Sequence, residues 1–295
     1  MEHLPPIEID PKTFLRQHCT LPALPTVVTT LQQMLQNENT SISQIAELIS
    51  SDPALVAQIL KIVNSAYYSL PQEVSKIHFA VAFLGLNEIC RLALTLSVIN
   101  TLNIAQSREL TAFWFHSFFT ALCTKHLAKA YVPQLPFDEL WSAAILHDIG
   151  KLVYLKFFPE HFAALQAHCT EHGCLFSTAE ERLALPPSSF LGILLCEHWL
   201  LPSKVRDACT YHSLKDLATL HQDTSPAGDF RRMVCLGNLA AVLANDPLTT
   251  EVKHQLAEAI TGVLRITESQ FLALMGSIYE LRLEVESFLK KFQQS

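Results

Sequence analysis

The stretch Ala143–Val153, Ala-Ala-Ile-Leu-His-Asp-Ile-Gly-Lys-Leu-Val, sets an adjacent His147-Asp148 pair inside an otherwise apolar helical run. The rest of the chain is organised around it. Ala143, Ala144, Leu146, Ile149, Leu152 and Val153 leave little polar face, so the segment has to be buried and its two titratable groups need partners. In a regular helix neighbouring side chains diverge by about 100°, so His147 and Asp148 cannot share one face. Both can still reach a site where other helices converge. A ring nitrogen beside a carboxylate oxygen suits a divalent transition ion or Mg²⁺. A bare His-Asp dipeptide is equally compatible with a surface or capping pair, and it is the apolar flanks that favour burial.

Only 8 glycines occur in 295 residues, whereas helix formers abound, which points to an all-α protein rather than sheets joined by tight turns. This length allows one large core or two modest ones. With 49% hydrophobic and 17% charged residues, the chain is neither disordered nor a coiled coil throughout. A net charge of −7 with no sizeable basic cluster argues against a phosphate-backbone footprint, so no nucleic-acid partner is expected. Met1–Asp10 carries Glu2, Glu8, Asp10 and two prolines with no apolar run, unlike a signal peptide. Arg91 interrupts the best membrane-span candidate, so a soluble protein with no membrane association is expected. Eight cysteines scattered through apolar patterns without a C-x-x-C pair read as reduced core thiols of a cytoplasmic protein.

Helical stripes recur along the chain. After Leu21-Pro22-Ala23-Leu24-Pro25, Thr26 is placed to cap a helix carrying Val27, Val28, Leu31, Met34 and Leu35. Ser43 precedes a second, with Ile45, Leu48 and Ile49. Asp52 as N-cap and Pro53 at the first helical position open a third, with Leu55, Ile59, Ile62 and Val63 on one stripe. Asn64-Ser65-Ala66 closes it, Pro71 breaks the chain, and Ile77–Leu84 leads through Gly85 to the apolar run Ile89–Ile99. Leu214–Asp229 has the composition of a surface loop. The last helix, roughly Glu268–Phe292, carries Leu274, Ile278, Leu281, Val285, Phe288 and Phe292 on an a/d stripe. It is either a closing helix on its own core or a partner surface, which leaves a homodimer through the C-terminal helix open.

Leu21-Pro-Ala-Leu-Pro, Ser51-Asp52-Pro53-Ala54-Leu55, Asn64-Ser65-Ala66 and Phe83-Leu84-Gly85 resemble the successive signatures of the HDOD family. The resemblance continues through Phe115-His116-Ser117, Leu146–Lys151, Gly192 to Trp199-Leu200-Leu201-Pro202, and Tyr211-His212, covering about residues 14–245. It implies an all-α fold in which an N-terminal helical subdomain (14–108) packs on a helical unit (109–245) similar to the HD superfamily of metal-dependent phosphohydrolases. Residues 246–295 would then be C-terminal closing helices. It also implies a cytoplasmic bacterial regulatory protein with a signalling protein as partner, and most members of the family have no demonstrated enzymatic activity.

The resemblance transfers site residues one by one. His116 matches the first His of an HD-type centre, and His147 and Asp148 match the pair. The distant Asp position, in Met233–Leu243, carries Asn238. An amide brings no negative charge and competes poorly for a divalent ion. Where the family often has His, this chain has Ser188, and a frequent His-His is here His212-Ser213. Two readings stay open. In one, His116, His147, Asp148, Asn238 and His212 form a hydrogen-bonded network with no cofactor. In the other, His116, His147, Asp148 and His212 hold a weakly bound divalent metal, with water or Asn238 completing the shell. Lys151, one turn after Asp148, either neutralises that carboxylate or meets a phosphate.

His161, His168, Cys169, His172 and Cys174 also lie close in sequence, with His168 and His172 at zinc-compatible spacing. Ordinary amphipathic packing accounts for them, since the two cysteines form no compact knuckle. No P-loop, dinucleotide fingerprint or Gly-x-Ser-x-Gly elbow occurs, and the Gly-Tyr-Pro element of cyclic-di-GMP hydrolases is missing. The expected function is therefore a non-catalytic signal-transduction protein. The alternatives are a metal-dependent phosphohydrolase acting on a nucleotide or cyclic dinucleotide, and a nucleotide-binding sensor without turnover.

Overall fold

The computed structural model describes Ile7 and residues 26–35, 40–65, 68 and 70–293, and among these there are helices and no strands. The all-α expectation is met. The motif Leu21–Pro25 and Ala66 lie outside the described residues. The chain divides into two compact units, one of Pro22–Asn103 with Glu284–Ser295, the other of Met1–Leu21 with Ile104–Leu283.

The smaller unit contains α1 (Thr26–Leu35), α2 (Ile42–Ser50), α3 (Pro53–Val63), α4 (Ile77–Leu84) and α5 (Leu86–Thr101). Thr26 is the first helical residue rather than a cap. The start of α2 is set two residues before Ser43, by a capping box. The Ser41 hydroxyl accepts from Gln44 N at 3.2 Å and Gln44 Oε1 accepts from Ser41 N at 2.9 Å. α3 begins as its sequence predicts, with Asp52 Oδ1 accepting from Leu55 N at 3.0 Å. Asn64 then ends it and pairs with both backbone groups of Val74, at 2.7 and 2.8 Å, which fixes the returning chain. Gly85, at φ 84°, lets α4 turn directly into α5, a conformation that a side chain would strain. α5 is buried nearly all round from Glu88 to Ile99, which explains why its apolar run lacks a clean stripe.

The larger unit carries α6 (Arg108–Tyr131), α7 (Phe137–Leu146), α8 (Ile149–Phe157), α9 (Pro159–His172), α10 (Phe176–Arg182), α11 (Ser188–His198), α12 (Ser203–Thr210), α13 (Leu214–Leu220), α14 (Pro226–Asn245) and α15 (Thr250–Leu264). Its core is built on α6, which lies against α7 and α14, and on α8, which lies against α11. Both pairings rest on glycine. A Cβ on Gly237 of α14 would lie 2.0 Å from Thr124 Oγ1 of α6, and one on Gly150 of α8 would lie 1.8 Å from Ser188 O of α11. Helix α13 corrects the expectation of a loop over Leu214–Asp229. Ser213 and Asp216 form a capping box, Ser213 N donating to Asp216 Oδ2 at 2.8 Å, and that pair was the missed signal.

The last helix, α16 (Glu268–Gln293), runs from the larger unit into the smaller one. Its Leu274, Ile278, Val285 and Leu289 are buried, Leu281 and Phe288 are half-buried, and the Phe292 side chain lies outside the described residues. The seven described cysteines are free, and all except Cys169 are buried. Among the described residues no helix is long and apolar enough to cross a membrane.

Candidate metal centre

The run Ala143–Val153 is not one helix. α7 stops at Leu146, His147 and Asp148 form a turn, and α8 starts at Ile149, Asp148 adopting φ −104° and ψ 17°. This corrects the continuous helix expected from the apolar periodicity. The physical reason is the divergence of neighbouring helical side chains, which the turn removes. His147 Nε2 and Asp148 Oδ2 come to 3.2 Å.

His116, from the middle of α6, completes the group. Its Nε2 lies 3.2 Å from Asp148 Oδ2 and 3.3 Å from His147 Nε2. The three atoms form a nearly equilateral triangle. Spacings of 3.2–3.3 Å are those at which His116, His147 and Asp148 would hold one divalent ion between them. These residues are the metal-capable group of three or more among the described residues. The rings of His168 and His172 lie 4.2 Å apart and tilted by 54°, but no such group forms around them among the described residues.

Hydrogen bonding fixes which ring nitrogens face the triangle. His147 Nδ1 lies 2.7 Å from Ala144 O and His212 Nδ1 lies 3.2 Å from Ala208 O. A carbonyl only accepts, so each Nδ1 carries a hydrogen and each ring turns its Nε2 toward Asp148. His212 Nε2 is 3.4 Å from Asp148 Oδ1, which has no hydrogen-bond partner. Burial pushes the His116 and His212 rings toward the neutral form, His212 to about 4. A buried carboxylate at such a convergence calls for a cation beside it.

Lys151 supplies one, its ammonium standing 2.5 Å from Asp148 Oδ2. Burial opposes the Asp148 charge, but Lys151 and the two nearby histidines outweigh it and hold the carboxyl well below the usual range. The Lys151 ammonium is likewise held charged by Asp148 against its own burial.

Asn238, in α14, takes no part in the triangle. Its Nδ2 donates to His212 O at 2.8 Å, so the amide holds the turn that carries His212. The structure thus brings His116, His147, Asp148, Lys151 and His212 together, while Asn238 supports them through the backbone. Ser188 opens α11, and its N–H donates to Glu180 Oε1 at 2.7 Å.

Sequence reasoning missed Glu180. It lies on the short helix α10 and only the fold buries it, so no local signal marks it. Burial raises its carboxyl from 4.5 to about 7. The proton is favoured in the folded state, so folding is penalised progressively as pH rises from 4.5 through 7. Glu180→Gln keeps an acceptor for Ser188 N–H and cannot ionise. In urea unfolding it is expected to exceed the parent by about 1–3 kcal/mol at pH 8 and to match it near pH 4.5. An equal pH dependence in both proteins would contradict the burial of this carboxyl.

Two hollows flank the centre. A cleft of about 890 Å³ is lined by His116, Asp148 and Lys151 together with Arg108, Phe113 and Phe176. A smaller cavity of about 260 Å³ lies between Ser188, Glu180, His212 and Asn238, with Lys151 on the wall of both.

Comparison with known proteins bears on this arrangement. The HDOD domain model matches residues 21–214. A solved structure of an HDOD domain protein of unknown function from Geobacter sulfurreducens is similar, with TM-score 0.73, 23% identity, and coverage of 94% of this chain and 96% of that one. Another, from Shewanella amazonensis and provisionally assigned as a phosphohydrolase, has TM-score 0.66, 24% identity, and coverage of 93% and 97%. At these identities the likeness shows the fold. An uncharacterised protein of Treponema pallidum is 26% identical over 192 residues, 65% of this chain. The match spans 37% of that relative's length.

Proposed function

Since the chain belongs to the HDOD family, we propose that it is a non-catalytic regulatory protein that acts by binding a signalling protein or a ligand, its HD-like centre serving as a structural hub. The observation that carries this reading is the placement of Asn238. An HD-type centre needs a second anionic oxygen, and the residue at that position is an amide whose NH₂ is taken up by the His212 carbonyl. Lys151 meanwhile neutralises Asp148 from within the chain. His116 of α6, His147 of the turn after α7, Lys151 of α8 and His212 of the turn after α12 thus converge on one carboxylate whose charge Lys151 balances.

The donor set does favour a second reading, a metal-dependent phosphohydrolase with an altered site. His116 Nε2, His147 Nε2 and Asp148 Oδ2 are spaced for one ion, and Asp148 Oδ1 is without a partner. A divalent metal bound there would supply Lewis acidity toward a phosphoryl oxygen. The residues' own part would be to hold that ion through His116, His147 and Asp148, with Lys151 on the cleft wall placed to meet a phosphate. With one carboxylate in place of two, binding is expected to be weak. A homodimer through α16 has less support, since Leu274, Met275, Ile278, Val285 and Leu289 are buried within the chain.

Metal analysis of purified protein separates the two. The hub reading expects well under one equivalent of any divalent metal, no hydrolysis of bis(p-nitrophenyl) phosphate with added Mn²⁺, and an unfolding temperature unmoved by a chelator. Stoichiometric metal together with hydrolysis that disappears in His147→Ala would establish the enzyme instead.

A further inference from the structure

Two cysteines at the end of α9 serve none of the roles above. The helix closes on a left-handed cap, Gly173 at φ 54° and ψ 42°, whose N–H donates to Cys169 O. Cys174 N donates to the same carbonyl at 3.3 Å. That second bond is the 6→1 bond of a Schellman motif, which brings together the side chains of the two residues it joins. Here both are cysteine. The bond also limits their span, since Cα atoms linked through it stand no more than about 7 Å apart, the outer limit for a disulfide. The cap is anchored as well. Gly173 O accepts from Thr249 N at 2.9 Å, and a Cβ on Gly173 would stand 2.8 Å from that nitrogen.

Both thiols are free and both line the 890 Å³ cleft. Cys169 is half-buried, whereas the other described cysteines are buried. Burial first, then the neighbouring Cys174 thiol, which is also its hydrogen-bond partner, push the Cys169 thiol up to about 12, against the pull of the Lys151 ammonium. No third His, Cys, Asp or Glu joins the pair within ligand spacing among the described residues, so the two thiols lack the ligands of a zinc site. A thiol pair in contact on an accessible wall has a second chemistry, exchange with a disulfide.

We propose that Cys169 and Cys174 are a modification site, a dithiol that exchanges with a low-molecular-weight disulfide to form a reversible bridge in the wall of the cleft. Cys169, the more exposed of the two, attacks as its thiolate. One S–S bond of the reagent RSSR breaks, one sulfur stays on Cys169, and the other leaves as a thiolate that takes up a proton. Cys174 then loses its proton and attacks the Cys169 sulfur, which forms the bridge and releases the second RSH. In sum, two protein thiols and RSSR give one protein disulfide and two RSH. Scarcity of the Cys169 thiolate makes the first step slow at neutral pH, and contact between the thiols favours the second. The site does not depend on whether the His116–His147–Asp148 triangle takes up a metal.

Glutathione is the reagent for the test. The full chain is brought to equilibrium in mixtures of oxidised and reduced glutathione at mildly alkaline pH with excess chelator, then quenched in acid, alkylated and digested with trypsin. The tryptic peptide Phe157–Arg182 holds these two cysteines and no other. A bridge therefore leaves that peptide two hydrogens lighter and without alkyl label. The expected result is a bridge in the folded chain at a glutathione ratio about 10-fold more reducing than urea-unfolded chain requires, because the cap holds the thiols together. Cys174→Ser should stop at the glutathione adduct of Cys169. No bridge in the folded chain, glutathione on both cysteines of one peptide, or a bridge no more favoured than in urea would overturn the assignment. The comparison of folded with unfolded chain needs no variant, so it stands even if the serine variant fails to fold.

Discussion

Gly150→Ala is expected to prevent the larger unit from folding, or to cost it more than about 4 kcal/mol. In an open helix the same exchange stabilises by up to about 1 kcal/mol, because alanine loses less backbone entropy than glycine. Here the sign reverses. A Cβ at Gly150 would stand 1.8 Å from Ser188 O and 2.6 Å from Gly192 N, and both of those are backbone atoms. No rotamer change relieves such a contact, so α8 and α11 would have to separate. Separation would move the start of α8, and Asp148 with it, relative to Ser188 and Glu180. Gly276→Ala is the matched control, since that glycine also lies in a helix and nothing stands within 4 Å of its Cβ position. Denaturant unfolding of the two variants should give opposite signs. A Gly150→Ala protein within about 0.5 kcal/mol of the parent would mean that the two helices do not meet at Gly150 and Gly192.

Asp148→Asn is expected to cost about 3 kcal/mol at pH 7, the lower end of what removing one partner from a buried pair does. The lower end applies because the Lys151 side chain keeps 22% of its exposure, whereas that of Asp148 has none. The amide can still accept from one neighbour. It cannot balance the ammonium. The pH dependence follows from the depressed folded pKa. The carboxylate's contribution is present above its ordinary value of 3.8 and is lost as pH falls through the lower folded value. The gap between parent and variant should therefore hold from neutral pH down to about 4 and close below it. Lys151→Met completes a double-mutant cycle. If the pair is coupled as its geometry indicates, the double variant is less destabilised than the sum of the two single ones. Additive losses, or a neutral Asp148→Asn, would show that the pair contributes nothing to the fold.

The sequence carried the helical class, the cap at Asp52, the extent of the last helix and the histidines and aspartate that meet. Each of these rests on local rules, such as periodicity, capping chemistry and motif order, which do not need distant neighbours. The capping boxes at Ser41 and Ser213 were equally legible, and overlooking them displaced one helix start and hid α13. Glu180 was not legible at all, because an acidic residue on a seven-residue helix looks like any solvated one until the fold closes over it. The break at His147-Asp148 was invisible for a related reason. Its flanks are apolar on both sides, so the periodicity runs through a turn that only the neighbouring helices require.

What the sequence determined by itself, then, is which groups are available: an all-α chain with His116, His147, Asp148, Lys151 and His212, and with Asn238 where the resemblance to HD-type centres would place a carboxylate. What the tertiary structure decided is how they are used. It turned the chain at Asp148 so that two ring nitrogens and a carboxylate oxygen share one triangle, set Lys151 on the carboxylate, and faced the Asn238 amide to the His212 carbonyl. Availability is a property of residue type and can be read along the chain. Use depends on which groups burial forces together, and burial is settled only when distant helices pack.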